Sequence, residues 1–255
     1  MALAKEPSKT EGNPQLATML IYGEPGIGKT TMASQMEGAY FLATEQGHKF
    51  KQVYKSDIVS WDEFRNEVRL LLKGDHAFRT IVVDTISGAW EMCVEQMCKD
   101  KGLSHISDMA MGKGYDLAKN MFRSVISALY GSPYGLVFIA HDTEKEMEYR
   151  GIKKHRVVPS FIKTCRDVVI PTCDFIGHMY VENIMDTKKG TMAPRRLISF
   201  SPNPEKDSKD RSGILAREGP IIAEPEDQCW ERVREIFTRH PETKETKEAK
   251  KGTET

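Results

Sequence analysis

The sequence has no long hydrophobic run. Within its 255 residues, no apolar stretch approaches the roughly 20 residues that a membrane-spanning helix needs. The first residues, Met1 to Pro14, are polar and mixed in charge, which is not the pattern of a secretory signal peptide. We therefore expect a cytoplasmic protein without a membrane partner.

Cysteine is sparse and its spacing carries little information. The five cysteines are odd in number and form no CxxC pair. This pattern argues against a regular disulfide framework and against a zinc site, and it indicates reduced thiols.

Net charge is absent too, because 37 lysines and arginines balance 37 aspartates and glutamates. A neutral protein has no overall field that draws it to DNA, so binding of nucleic acid would need a local basic patch. Internal repeats and linkers rich in glycine, proline or serine are missing as well. We expect one domain over residues 17–240, a disordered arm over residues 1–16 and a disordered charged tail over residues 241–255.

What the sequence does contain is a regular alternation of short apolar runs with helical patterns. Continuous apolar runs are typical of strands buried on both faces, and their alternation with helices is typical of a parallel sheet. We predict an α/β fold with a mostly parallel, twisted sheet and helices on both faces. The predicted strands are Thr18–Tyr22, Ala39–Ala43, a short edge piece at Ile58-Val59, Thr80–Asp84, Leu136–Ala140, Phe175–Glu182 and Arg196–Phe200, and the predicted helices are Thr30–Met36, Ser60–Lys73, Trp90–Lys99, Tyr115–Leu129 and Glu226–Arg239.

The first predicted strand leads into GEPGIGKT, residues 23–30, which has the GxxxxGK[ST] pattern of a phosphate-binding loop. Its glycines let backbone N–H groups wrap a phosphate, aided by the N-terminus of the following helix. In such a loop Lys29 reaches the β- and γ-phosphates, and the Thr30 hydroxyl coordinates Mg²⁺. The predicted nucleotide-binding residues are Gly23, Glu24, Pro25, Gly26, Ile27, Gly28, Lys29, Thr30 and Thr31.

Polar residues at the ends of three further strands complete a candidate site. Asp84 closes the apolar run IVVD and is predicted to bind Mg²⁺. Glu45 follows the second strand, and it is predicted to orient or deprotonate an attacking water, because the carboxyl ends of neighbouring strands converge on the ligand in such a sheet. His141 follows the strand Leu136–Ala140 and is predicted to sense the γ-phosphate.

The phosphate loop, Glu45, VVDT and His141, in that order, resemble the RecA-like P-loop ATPase core. More narrowly, the chain is similar to small RecA-core nucleotide-binding proteins of bacteriophages, which are AAA-type ATPases related to recombinases. The supporting segments span roughly residues 18–215 and are LIYGEPGIGKTT, YFLATEQG, FRTIVVDTISG, GLVFIAHDTEKE and KDRSG. The resemblance implies a RecA-like fold and hydrolysis of ATP with Mg²⁺. Thr85 stands where many AAA+ ATPases have their water-activating glutamate, so that class is disfavoured.

The segment KDRSG, residues 209–213, is similar to a Lys-x-Arg element that RecA-like ATPases insert into a neighbouring subunit's nucleotide site. The resemblance implies that Lys209 and Arg211 stabilise charge on the transferred phosphoryl group in trans. It also implies a homo-oligomer, either a ring or a filament. The alternative is a solvated turn, since the surrounding SPNPEKDSKDRSG is rich in turn-forming residues.

In RecA-like proteins the segment after the sensor strand often contacts single-stranded DNA. Here residues 149–166 contain several basic residues and no aspartate or glutamate, although the preceding DTEKEME is acidic. Lysine and arginine would contact phosphates. The predicted contacts are Arg150, Lys153, Lys154, Arg156 and Lys163, and the alternative is a charged, solvated hairpin.

The leading hypothesis is an ATPase that assembles on single-stranded DNA in phage-type recombination or replication. Phage recombination or replication proteins are then possible partners in the host cytoplasm, and annealing or loading is expected rather than autonomous strand exchange. A nucleotide-dependent interaction switch without DNA binding is an alternative. A P-loop kinase is less favoured, because no acceptor pocket or arginine-bearing lid is evident in the sequence and Glu45 suits water activation better.

Overall fold

The computed structural model describes residues 12–45, 51–149, 152–186, 190–224, 226 and 228–239. Nine of the described strands form one sheet and two form a separate hairpin. The strands are β1 (Thr18–Gly23), β2 (Ala39–Ala43), β3 (Tyr54–Asp57), β4 (Thr80–Asp84), β5 (Gly135–Ala140), β6 (Asp142–Tyr149), β7 (Ile152–Pro159), β8 (Phe175–Asp186), β9 (Thr191–Ser199), β10 (Lys209–Asp210) and β11 (Ile221–Ile222), of which β6 and β7 form the hairpin.

The centre of the large sheet is parallel. Its strands follow the order β11-β9-β8-β1-β5-β4-β2-β3, with β10 beside β8. The strands from β8 to β3 pair in parallel, whereas β9, β10 and β11 add antiparallel pairs at one side. The register sets Tyr22 beside Ala140, Ile139 beside Asp84, and Asp84 beside Ala43. Four strands therefore end at one edge of the sheet, and this edge carries the candidate site.

Helices cover both faces of the sheet, because residues of each central strand alternate between two cores. Leu20 and Tyr22 face one core, which contains four helices, and Met19 and Ile21 face the other, which contains three. The helices of the first core are α2 (Trp61–Lys73), α3 (Ile86–Lys101), α4 (Lys113–Tyr130) and α5 (Lys163–Thr172), and those of the second are α1 (Lys29–Ser34), α6 (Ile214–Glu218) and α7 (Cys229–Arg239). None of the described helices is long and apolar enough to span a membrane.

The predicted α/β fold, a mostly parallel sheet with helices on both faces, is confirmed. Some local predictions are wrong. The edge strand is β3 at Tyr54–Asp57 rather than Ile58-Val59. The prediction relied on apolar residues, whereas the strand is defined by its backbone pairing with β2. The last two predicted strands are parts of a longer β8–β9 hairpin, and the helix α5 was not predicted.

The predicted disordered arm requires a correction near its end. Pro14–Leu16 form a short 3-10 turn, and Gln15 is buried there. The side chain of Gln15 donates to Thr80 Oγ1, and it accepts a 3.0 Å hydrogen bond from the indole N–H of Trp230. Residues 1–11 and the predicted tail lie outside the described residues. Gln15 therefore belongs to the folded domain, where it joins α7 to the start of β4.

Replacing Gln15 with alanine should lower the free energy of unfolding by about 2 kcal/mol, because the buried indole N–H of Trp230 then lacks an acceptor. Chemical denaturation followed by tryptophan fluorescence measures the change. Gln52→Ala is the matched control. Because Gln52 is exposed, this variant should change the free energy of unfolding by less than about 0.5 kcal/mol. Equal unfolding free energies for the two variants would contradict the role of Gln15.

Candidate nucleotide-binding site

The phosphate loop joins the end of β1 to the start of α1. Gly23 is required by close packing, because a Cβ there would lie 2.3 Å from the carbonyl oxygen of Met179 on β8. Gly28 has a φ of +114°, a conformation that side chains rarely adopt, and it offers no side-chain cap to α1. The first amides of the helix are thus left for another acceptor, as in a site that binds phosphate.

Lys29 is buried within this loop. Its Nζ donates to the carbonyl oxygens of Gly23 at 2.7 Å and Glu24 at 2.8 Å. Burial lowers the pKa of Lys29, and the nearby carboxylates of Asp84, Asp142, Glu45 and Glu24 oppose that shift. The ammonium group therefore lies in a strongly acidic surrounding, held by backbone oxygens that a phosphate oxygen could replace.

Thr30 and Asp84 form the candidate metal site. The Thr30 hydroxyl donates to Asp84 Oδ2 at 2.8 Å, and Asp84 is buried at the end of β4. Within the described residues, no group of three or more histidine, cysteine, aspartate or glutamate side chains could hold a metal ion by itself. One carboxylate and one hydroxyl suit Mg²⁺, which keeps several waters and takes its remaining ligands from substrate phosphates.

Glu45 lies beside this pair and is held from two sides. The Thr85 hydroxyl donates to Glu45 Oε1 at 2.6 Å, and Glu45 Oε2 lies 3.3 Å from His141 Nε2. Thr85 is itself fixed, because its backbone N–H and carbonyl both bond to the Thr44 hydroxyl and its own hydroxyl caps the N-terminus of α3. The carboxylate thus has a defined orientation although Glu45 remains accessible to solvent.

His141 lies between Lys29 and Glu45. Its Nδ1 is 3.4 Å from Lys29 Nζ, and its Nε2 is on the side of Glu45. An ammonium group can only donate, so Nδ1 accepts from Lys29 and we assign the hydrogen to Nε2, which donates to Glu45. The sequence-predicted residues Lys29, Thr30, Glu45, Asp84 and His141 are therefore brought together at one edge of the sheet.

Strand β8 supports the loop from the other side, through a residue that sequence reasoning missed. The ring of His178 packs 4.8 Å from the ring of Tyr22, next to the loop, and it stacks on Tyr180. Burial, reinforced by the charge of Lys206, lowers the pKa of His178 to about 4, although Asp142 opposes the shift. His178 is thus a neutral packing group at neutral pH. No local sequence signal marks it, since its place depends on the pairing of β8 with β1.

Two more contributors to the site were not predicted. Thr85 stands where many AAA+ ATPases have a glutamate, and here its hydroxyl orients Glu45. Lys51, just before β3, donates to the hydroxyl of Thr31 in α1. In the sequence, the only sign of this role is that Lys51 is a basic residue shortly after Glu45. Its position in the pattern does not distinguish it from a solvated lysine.

Lys209 and Arg211 lie at the opposite end of β1, away from the loop of the same chain. The Lys209 ammonium donates to the carbonyl oxygens of Ile170 and Cys173 at the end of α5. Arg211 pairs with Asp174 at 2.8 Å, and Asp174 also accepts from the backbone N–H of Thr18. Within one chain, Lys209 therefore stabilises the end of α5, and Arg211 does so too while it fixes Asp174 at the start of β1. Their predicted role in a neighbouring subunit stays a prediction.

The expected DNA contacts stay a prediction, and their surroundings are of mixed charge, because the acidic strand β6 pairs directly with β7. Lys153 forms an ion pair with Glu146 at 2.7 Å. Arg156 and Arg166 both contact the buried carboxylate of Asp207. The segment is therefore a hairpin of mixed charge. Lys154 and Lys163 are exposed, and Arg150 lies outside the described residues.

One comparison with known proteins supports a nucleotide-binding ATPase domain. A family model described as an AAA domain matches residues 16–212 of the 255, which covers the loop and every strand that contributes to the site. No curated protein matches the chain. The chain belongs to the AAA domain family, as an AAA-type P-loop ATPase.

Proposed function

We propose that the protein binds ATP with Mg²⁺ and hydrolyses it with Glu45 as the general base. The observation that carries this proposal is the orientation of Glu45 by Thr85 and His141, beside Lys29 and the Thr30–Asp84 pair. In hydrolysis a water oxygen attacks the γ-phosphorus and its proton passes to Glu45. The bond from the γ-phosphorus to the β,γ-bridging oxygen breaks, and ADP keeps that electron pair.

The remaining residues have distinct roles in this step. Lys29 exchanges its carbonyl partners for oxygens of the β- and γ-phosphates, where a fixed cation stabilises charge. Thr30 and Asp84 would hold Mg²⁺, which would neutralise charge on the phosphates. His141 contacts both Lys29 and Glu45, so it is placed to respond to the presence of the γ-phosphate.

A nucleotide-dependent interaction switch and a kinase remain alternatives. A switch would bind ATP with little turnover, and a kinase would transfer the phosphoryl group to an acceptor. The position of Glu45 favours hydrolysis over both, because an oriented carboxylate at the mouth of the loop suits activation of water.

Glu45→Gln should lower the rate of ATP hydrolysis at saturating ATP about 100-fold or more, while the Kd for ATP stays within about threefold, because only proton transfer is lost. Phosphate release measures turnover, and calorimetry measures binding. Glu91→Gln on the exposed surface of α3 is the control and should match the wild type. Full turnover by Glu45→Gln would refute the general-base role, and phosphate found on an added acceptor would favour a kinase.

We further propose assembly into a ring or filament in which Lys209 and Arg211 of one subunit approach the nucleotide of the next. Support comes from the resemblance to RecA-like ATPases and from the half-exposed side chain of Arg211, which lies remote from its own loop. An arginine suits this task because its planar fork stays charged. The contacts with α5 mean that such a role would require the guanidinium to change partners, or to act while still bound to Asp174.

Mixing two inactive variants tests this arrangement. Arg211→Ala and Lys29→Ala should each hydrolyse ATP poorly, since the first lacks the cation in trans and the second lacks the phosphate-binding lysine. An equimolar mixture should recover about a quarter of wild-type turnover, because one head-to-tail interface in four then combines an intact loop with an intact arginine.

Arg234→Ala, on the exposed face of α7, is the control for loss of an arginine. Wild-type turnover by Arg211→Ala, or a mixture that recovers no turnover, would refute the role of Arg211 in the neighbouring site. Arg211 would then have only its structural contacts with α5. Thermal melting of each variant separates lost folding from lost catalysis.

We also propose that the β6–β7 hairpin and the start of α5 contact single-stranded DNA, in a recombination or replication setting alongside phage proteins. The support is position, because this segment directly follows His141, and exposure, because Lys154 and Lys163 are open to solvent. The ion pairs of Lys153, Arg156 and Arg166 reduce the charge available, so binding should be weak and sensitive to salt.

The double variant Lys154→Gln/Lys163→Gln should weaken binding of a labelled single-stranded oligonucleotide about tenfold. It should also reduce the salt slope by about 1.4, because each lost phosphate contact removes about 0.7. Fluorescence anisotropy across a salt series measures both quantities. Lys73→Gln/Lys99→Gln, two exposed lysines on α2 and α3, is the matched control. Equal slopes for the two double variants would place any DNA contact elsewhere.

A further inference from the structure

Lys51 contacts the first turn of α1, whereas the ammonium group of Lys29 is held at the start of the phosphate loop. Its Nζ donates to the hydroxyl of Thr31, the residue that follows the phosphate-loop motif. The base of this side chain is anchored, because Val53 packs against the core around α1 and the chain continues directly into β3. Lys51 therefore lies two residues before a packed side chain, and it contacts the first turn of α1.

The surroundings of Lys51 differ from those of a solvated lysine. Burial lowers its pKa, and the negative charge of Asp84 opposes that shift. The ammonium group has therefore lost part of its hydration and lies within electrostatic reach of the metal carboxylate. Its hydrogen bond goes to a neutral hydroxyl, which compensates for lost water less well than a charged acceptor does.

Two cations, one held at each end of the loop, suit a polyphosphate. Lys29 is held at the start of the loop, at the carbonyls of Gly23 and Glu24, and Lys51 at its end, at Thr31. A triphosphate bound in the loop would have an ammonium group near each end of the loop. Together with Mg²⁺, two ammonium groups balance more of its charge than Lys29 alone, and partial burial strengthens each contact.

We propose that Lys51 is a second phosphate-binding cation of the nucleotide site, which donates to phosphate oxygens of bound ATP. This role rests on the nucleotide binding proposed above. Thr31 holds the ammonium group near its working position, so little reorganisation is needed when the nucleotide arrives. The opposite possibility is that Lys51 only compensates Asp84 and is repelled when Mg²⁺ binds, in which case it would oppose binding.

The two possibilities differ in sign, so calorimetric titration of MgATP separates them. Lys51→Met should weaken the affinity for MgATP about tenfold or more, which is the loss of one charge-assisted hydrogen bond. Lys51→Arg, which keeps the charge, should stay within about threefold of the wild type. Lys55→Met is the control, because Lys55 lies four residues on and pairs with Asp57 on β3.

A Kd for Lys51→Met within about twofold of the wild type, or tighter binding by that variant, would overturn the proposal. An equal melting temperature without nucleotide shows that Lys51→Met is folded, and Lys51→Arg provides the test if it is not. Failure of the wild type itself to bind MgATP would overturn the proposed function, and the role of Lys51 with it. Binding by the wild type with no effect of Lys51→Met would refute the role of Lys51 alone.

Discussion

The parallel pairing of β5 between β1 and β4 is the constraint on which the candidate site depends. This order sets His141, at the end of β5, between Lys29 after β1 and Glu45 after β2. The register sets Asp84 level with Ile139 and close enough to receive the hydroxyl of Thr30. Backbone hydrogen bonds of the sheet, not contacts among the polar side chains, therefore fix where these residues meet. The polar contacts then set the orientation of the individual side chains.

The polar side chains at this edge of the sheet differ in how deeply they are buried. Lys29 and Asp84 are buried, where electrostatic interactions are strong, while Glu45 is open to solvent. That gradient suits hydrolysis, because water must reach the carboxylate while the phosphates need a dry, preorganised surrounding. On the far side of β1, the neutral ring of His178 and the backbone of Met179 hold the loop by close packing without adding charge.

The fold class and the members of the site that follow strands could be predicted from the sequence, because both follow from local patterns. An apolar run with a polar residue after it identifies Asp84, Glu45 and His141 without knowledge of the partners. The burial of Gln15 could not be predicted, since its partner Trp230 is 215 residues away and no periodicity links them. The mixed charge of the β6–β7 hairpin was missed for a related reason. The sequence shows that residues 149–166 are basic. The net charge of the surface that they form also depends on the acidic strand β6, which pairs with β7.

The same argument applies to residues 207–211, where a sequence motif and a structural junction coincide. Asp207 binds Arg156 of β7 and Arg166 of α5, while Lys209 and Arg211 bind the end of α5. One short segment therefore sets the position of the hairpin, the helix and the start of β1. A solvated turn rich in serine and aspartate would make few such contacts, so composition alone is misleading here. Because Asp207 fixes the hairpin after His141 while Lys209 and Arg211 fix the end of α5, residues 207–211 link the geometry of these two elements.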